Sequence, residues 1–126
     1  MLMLFLLVGI FLFAIYRKRQ EPLPAEAFHR APERLRYYAF AHCRMQCLDI
    51  TESDIRTMLQ KGVILMNRSY RMSRPCPVYA LQARVRGQYL RVLFEQCRSS
   101  TYVLNCYNLE QDTSCNCSIE YQPKQN

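Results

Sequence analysis

Cysteine is the residue type in this chain that offers the most chemistry. The sequence contains seven cysteines, and all of them lie after residue 42. Cys43 and Cys47 have C-x3-C spacing, whereas Cys115 and Cys117 have C-x-C spacing. Cysteines at this density form disulfides in exported proteins, while in cytosolic enzymes they more often bind metal or take part in catalysis. Disulfide bonding, a zinc site and redox exchange are therefore the three alternatives.

The spacing of the cysteines favours disulfides over the other two alternatives. Four thiolates could bind Zn²⁺, and the candidates would be Cys43, Cys47, Cys115 and Cys117. However, C-x3-C combined with C-x-C is not a usual zinc-finger spacing. A redox-active pair is disfavoured because the sequence lacks a C-x-x-C motif. We therefore expect neither a metal nor a cofactor.

The two histidines offer little acid–base chemistry. His29 lies in a proline-rich stretch, and His42 lies two residues before Arg44. A general base needs a positioned partner, and the sequence shows none for either histidine. His42 and Arg44 are thus only weak catalytic candidates. Enzymatic activity is disfavoured but left open, and a ribonuclease is the form it would take.

The hydrophobic pattern predicts two helices that carry the first cysteines. From Glu33 to Leu48 apolar residues recur at helical spacing, at Tyr38, Ala41, Met45 and Leu48. On such a helix the Cα atoms of Cys43 and Cys47 would be about 6 Å apart, near the upper limit for a bridge, so we expect them to bond other segments. Thr51 and Asp54 resemble the start of a capping box, and Gly62 is typical of a C-cap.

After residue 62 the pattern changes to the alternation of strands. Four strands are predicted, at Val63–Met66, Val78–Arg86, Gln88–Gln96 and Thr101–Leu109. Arg86-Gly87 is typical of a tight hairpin turn. The predicted fold class is α+β, with two helices packed on a three- to four-stranded antiparallel sheet.

The positive charge is too small to indicate nucleic-acid binding. The chain carries +7, and without residues 1–30, which hold four basic and two acidic side chains, the charge is +5. Arg84, Arg86 and Arg91 lie near Tyr79 and Tyr89, as on a basic, aromatic sheet face. Tyr79 has the opposite strand parity to Arg84, so these residues do not form one platform. We expect nucleic acid not to be a partner.

The first 16 residues contain no charge, and Arg17, Lys18 and Arg19 follow directly. As a helix they would span roughly 24 Å, which is short for a bilayer core of about 30 Å. No small-residue cleavage site of the A-x-A type follows. We expect residues 1–19 to be an uncleaved single-pass membrane anchor in contact with lipid, residues 20–32 a linker and residues 33–126 the folded domain.

The orientation of this anchor is a conflict between two signals. The positive-inside rule places residues 17–19, and the domain with them, in the cytoplasm. The cysteines favour an oxidising compartment, and a start upstream of Met1 that supplies further basic residues would reconcile the two. We expect an extracytoplasmic, periplasmic domain.

The segment FAHCRMQCLDITESDIRTMLQKGVI, followed by strands, resembles the bacterial family catalogued as domain of unknown function 4258. The similarity covers roughly residues 37–117, and the matching positions of the general pattern are Ala41, Arg44, Met45, Ile50, Thr51 and Gly62. A membrane-anchored, cysteine-rich branch is more similar still, through its C-R-M-x-C, P-C-P, F-x-x-C and C-x-C motifs. The cysteines in these motifs are Cys43, Cys47, Cys76, Cys97, Cys115 and Cys117.

The resemblance implies a fold similar to RelE-like and barnase-like domains, some of which cut RNA. Phe40 and Leu48 stand where the family often has a histidine and an arginine, which lowers the case for catalysis. The six matching cysteines would form three disulfides, with Cys106 left over. They would fix the first helix, the loop around Pro75-Cys76-Pro77 (the proline loop) and the tail from Glu110 onward to the sheet. We expect a disulfide-stapled, membrane-tethered bacterial envelope domain with a binding or structural role, for which an unknown protein is a candidate partner. The alternative is a RelE-like ribonuclease or toxin-type enzyme.

Overall fold

The structure, a computed structural model, describes residues 1–20, 28–111 and 114–117. A separate N-terminal helix precedes a domain of two helices and five strands. In chain order the elements are α1 (Leu2–Gln20), β1 (Leu35–Tyr37), α2 (Ala39–Leu48), α3 (Glu52–Lys61), β2 (Val63–Tyr70), β3 (Val78–Val85), β4 (Gln88–Gln96) and β5 (Thr101–Asn108). The predicted α+β class is confirmed.

The sheet has five strands in the order β1-β5-β4-β3-β2. Strands β2 to β5 form an antiparallel meander, and β1 pairs with β5 in parallel. The expectation of three to four antiparallel strands was wrong because the chain before α2 is extended, not helical. Its backbone completes the free edge of β5, where Thr101 N donates to Arg34 O and Tyr38 N donates to Val103 O. Unpaired edge groups favour such pairing over a longer helix.

The hairpin between β3 and β4 has the predicted two-residue turn. Arg86 and Gly87 both have positive φ, of 48° and 76°, as a type I′ turn requires. For an arginine, a backbone in the left-handed region is unfavourable by itself. Its side chain is held by Asp54, at 2.6 and 2.7 Å, and by the Asp49 carbonyl, at 3.1 Å. The turn is thereby tied to the start of α3.

Helix α3 begins with the predicted capping box. Asp54 N donates to Thr51 Oγ1 and Thr51 N donates to Asp54 Oδ2. Gly62 ends the helix, but its φ of −63° is available to any residue. Glycine is needed there because a Cβ would lie 2.5 Å from Met58 O and 3.0 Å from Leu81 Cβ.

The hydrophobic core lies between one face of the sheet and helices α2 and α3. Its largest fully buried apolar side chains are Phe94, Ile55, Met58, Leu81 and Leu90. Phe28 is only 4% exposed and packs edge-on against Tyr79, with ring centroids 5.1 Å apart. Arg30 donates to carbonyl groups at the end of α3, including those of Leu59 and Gly62. Phe28 and Arg30, expected in the linker, therefore pack on the domain.

The membrane-spanning anchor expected over residues 1–19 is not found. Within the described parts of the chain, no helix combines the length and the apolarity needed to cross a membrane. The apolar run is short for this purpose, since 16 helical residues extend roughly 24 Å.

Candidate functional site

Three disulfides hold the loops and the tail of the domain. Cys43 bonds Cys117, and Cys47 bonds Cys115, so both bridges join α2 to residues 114–117. The third, Cys76–Cys97, joins the proline loop to the residue after β4. Disulfide bonding is thus as expected, but the tail is fixed to a helix and not to the sheet.

The four cysteines of the zinc alternative are the four that form the double bridge between α2 and the tail. A disulfide sulfur is not a thiolate, and thiolates are the sulfur ligands of zinc. Within the described residues no group of three or more acidic, histidine or cysteine side chains could hold a metal ion.

Cys106 is the free cysteine among the described residues, and it is fully buried in β5. Burial raises the pKa of its thiol to about 12, which the nearby Arg44 only partly offsets. A thiol that stays protonated is neither a nucleophile nor a metal ligand. Cys106 therefore fills core volume.

The two weak catalytic candidates, His42 and Arg44, are not brought together. His42 is exposed on α2, whereas Arg44 is half-buried and reaches across to β5. Arg44 donates from Nε at 3.2 Å and from NH2 at 3.0 Å to the Cys106 carbonyl. Its guanidinium also lies over the Tyr107 ring, 5.3 Å from the centroid. Arg44 therefore links α2 to β5. The rest of its guanidinium has no hydrogen-bond partner among the described residues.

A pocket of about 470 Å³ opens beside Arg44, at the end of β5. Arg44 and Leu48 line it from α2, while Tyr107, Asn108 and Leu109 line it from β5 and the residue after it. Asn108 is only 8% exposed, and its Nδ2 finds no hydrogen-bond acceptor in the described structure. Buried polar groups are almost always paired. Asn108 Nδ2 shares this unpaired state with three other buried atoms, Tyr37 OH, Ser73 Oγ and Gln88 Oε1.

The sheet face away from the helices carries a connected polar network. Arg91 donates twice to Gln82 Oε1, at 2.8 and 3.0 Å, and Gln82 in turn donates to Tyr89. Arg84 lies over the Tyr89 ring at 5.4 Å and pairs with Glu110. Tyr79 faces the core, as its parity predicted. Arg84 and Arg91 are therefore bound to neighbouring side chains. The network holds the side chains on this face of the sheet in fixed positions.

A second cleft, of about 650 Å³, lies at the opposite end of the sheet. His29, Glu33 and Arg98 line it together with the Cys76–Cys97 bridge. Gln96 accepts from His29 N at 2.7 Å and donates to His29 O at 2.6 Å, which fixes this backbone. No ion pair links the charged groups of this cleft within the described residues.

Sequence reasoning selected Arg44 but not Tyr107 or Asn108. Both fall in a predicted strand, and nothing in their types or spacing separates them from ordinary strand residues. Their association with Arg44 arises from the packing of α2 on β5, which single-sequence periodicity does not encode.

No protein-family model, curated protein or solved structure matches this chain. The resemblance to domain of unknown function 4258, and the RelE-like or barnase-like relationship that it implies, therefore remain predictions.

Proposed function

We propose that this protein is a disulfide-stapled binding domain of an oxidising compartment, held at a membrane surface through contact of its apolar N-terminal helix with lipid. The observation that carries the proposal is the exposure of α1. The large apolar side chains of residues 1–16 are between 40% and 102% exposed, and this segment contains no charge. An uncharged helix that is apolar on every side has no face suited to water.

Lipid is the occupant that suits this helix best. A helix that docks on a protein groove normally has one apolar stripe and one polar face. Residues 1–16 have apolar side chains on all sides, and three basic residues follow at positions 17–19, where lipid headgroups would meet them. Association with lipid requires only that these apolar side chains enter the membrane. The helix does not have to cross the bilayer.

The three disulfides support the proposed compartment. They use six of the seven cysteines, and disulfides persist outside the reducing cytosol. A small domain in such a compartment gains stability from covalent links that its modest core cannot supply.

A binding role is favoured over catalysis by the site geometry. The pocket beside Arg44 has a guanidinium and apolar walls, and its described lining residues include no nucleophile with a base beside it. The ribonuclease alternative rests on His42 and Arg44, and no contact in the described structure favours it.

Vesicle flotation tests the lipid contact. The full-length chain is mixed with vesicles of neutral phosphatidylcholine, so that attraction between basic residues and anionic lipid does not contribute. We expect the chain to float with the vesicles and a Leu6→Asp, Phe11→Asp double variant to stay behind. Val63→Asp is the matched control, because Val63 is an exposed apolar residue of the domain. Equal flotation of both variants would refute lipid contact through α1.

A further inference from the structure

The chain from residue 68 to residue 74, here called the basic loop, covers the end of β2 and the turn after it. Ser73 N donates to Tyr70 O at 3.1 Å, so Arg71 and Met72 are the two central residues of a β-turn. The side chain of Met72 is 76% exposed. A single exposed apolar side chain is ordinary on a protein surface, so its meaning depends on the charges around it.

The free positive charge of the antiparallel meander is concentrated in the basic loop. Between residues 63 and 94 the sequence has six arginines and no acidic residue. Three of them, in β3, in the hairpin turn and in β4, donate to oxygen atoms of other side chains. The other three, Arg68, Arg71 and Arg74, have no hydrogen bond or ion pair within the described residues. Free cations around an apolar side chain complement an anionic surface with hydrocarbon beneath it.

The basic loop lies at the end of the sheet where the chain enters the domain from α1. Phe28 is the first described residue after α1, and its ring contacts that of Tyr79, with centroids 5.1 Å apart. The neighbouring residue, Val78, pairs with Tyr70, which is two positions before Met72. The entry point of the chain and the tip of the basic loop therefore share one end of the sheet.

The length of the chain limits how far this end can be from α1. Seven residues separate Gln20, where α1 ends, from Phe28. At no more than about 3.6 Å per residue, eight steps span about 29 Å, which is roughly the diameter of a small domain. With α1 in lipid and positions 17–19 at the headgroups, the end of the domain that carries the basic loop is the end held nearest the membrane.

We propose that the basic loop is a second membrane contact, in which Met72 enters a surface of anionic phospholipid and the free arginines bind the headgroups. This proposal rests on the proposed contact of α1 with lipid. It adds the class of lipid and the part of the domain that meets it. Each basic side chain near an anionic membrane strengthens binding about fivefold. Because α1 already holds the chain at the membrane, docking of the loop is intramolecular, and a weak contact is enough to populate it.

The test uses the absence of tryptophan from this chain. In the full-length chain, Met72→Trp places a single indole at the tip of the basic loop. Phosphatidylcholine with brominated acyl chains quenches an indole that reaches the hydrocarbon, and the vesicles contain this lipid alone or together with anionic phosphatidylglycerol. Val63→Trp is the matched control, because Val63 is a 65% exposed apolar residue at the opposite end of β2.

We expect vesicles with phosphatidylglycerol to quench the indole of Met72→Trp much more strongly than that of Val63→Trp. Neutral vesicles should quench Met72→Trp less, because the arginines gain nothing there. Salt at about 1 M, where the Debye length is about 3 Å, should remove this difference between the two lipids.

The contribution of the arginines is measured in the Met72→Trp chain. Arg71→Gln, Arg74→Gln should lower the ratio of docked to undocked loop, obtained from the quenched fraction, roughly thirtyfold on anionic vesicles. Arg56→Gln, Lys61→Gln removes the same charge from α3 and should change the ratio less than about twofold.

Three results would overturn the proposal. They are an indole of Met72→Trp that anionic vesicles do not quench, equal quenching of Met72→Trp and Val63→Trp, and unchanged quenching after loss of the two loop arginines. Flotation of the same samples separates this contact from that of α1. A chain that floats without quenching of Met72→Trp would keep the α1 contact and lose that of the loop. Quenching on anionic vesicles by a chain that does not float with neutral ones would keep the loop contact and lose that of α1.

Discussion

Helices α2 and α3 lie on the same sheet but are held in chemically different ways. Helix α2 is joined to the tail by the Cys43–Cys117 and Cys47–Cys115 bridges. Helix α3 has no disulfide, and its start is joined to the β3–β4 turn by the Asp54–Arg86 ion pair at 2.6 Å. The first connection depends on redox conditions and the second on pH. Reducing conditions should therefore loosen the attachment of α2, whereas acid should loosen that of α3.

Removal of both α2 bridges should have the largest effect on stability. In the chain-entropy account, loops closed by residues 74 or 68 apart stabilise a fold by about 4 kcal/mol. We expect Cys43→Ser, Cys47→Ser to lower the free energy of unfolding by about 6 kcal/mol, since the second bridge adds the closure of a further short loop. The loss is measured by thermal unfolding of the full-length chain.

The two α2 bridges should also be partly redundant. They connect nearly the same pair of segments, so once one has closed the long loop the other closes only a short one. Cys47→Ser, Cys115→Ser should therefore cost about 2 kcal/mol. A single-bridge loss as large as the loss of both would contradict this account.

Gly62→Ala should have the next largest effect, at the end of α3. The new methyl would meet the Met58 backbone oxygen at 2.5 Å, and overpacking of this kind typically costs 1–3 kcal/mol, so we expect about 2 kcal/mol. Gly87→Ala is a useful comparison, because no atom lies within 4 Å of its Cβ position and only its φ of 76° is unfavourable. An unchanged midpoint in Gly62→Ala would refute the close-approach explanation.

Loss of the Thr51 cap should cost about 1 kcal/mol. Thr51→Ala removes the hydroxyl that accepts from Asp54 N, and N-cap substitutions typically have this effect. Thr57→Ala is the control, since its hydroxyl bonds the Ser53 carbonyl on the exposed side of the same helix. Thermal unfolding of the two variants should show the larger loss for Thr51.

The pH dependence of stability should distinguish α3 from α2. The hydrogen bond from Arg86 lowers the pKa of Asp54 below its usual value of 3.8, despite an opposing effect of burial. The stabilisation is therefore present above pH 3.8 and is lost as the pH falls below it, toward the folded-state pKa. Arg86→Gln should flatten this acid-side dependence, measured as unfolding midpoint against pH, and Arg56→Gln should not.

Local patterns were sufficient to predict most elements of the domain. The capping box of Thr51, the turn at Arg86-Gly87 and the alternation of β3 to β5 all depend on neighbours in sequence, and all are present. β1 was missed because it is only three residues long and exists through a parallel pairing with distant β5. The helix predicted from Glu33 onward included Leu35–Tyr37, but pairing with β5 makes these residues a strand.

The candidate site was less predictable than the fold. Arg44 could be singled out as a charged residue on a helix, but its contact with Cys106 and Tyr107 spans more than 60 positions. The unpaired amide of Asn108 is visible only once burial and hydrogen bonds are known. The Asp54–Arg86 pair was missed for the same reason, since 32 residues separate its members.

We infer that the working form of this protein has three disulfides. The number is measured by blocking thiols at the moment of cell lysis, denaturing the purified chain and counting alkyl groups by mass spectrometry. The account predicts one group, on Cys106, before reduction and seven after it. Seven groups without reduction would show that the cysteines are thiols in the cell, and would contradict both the bridges and the proposed compartment.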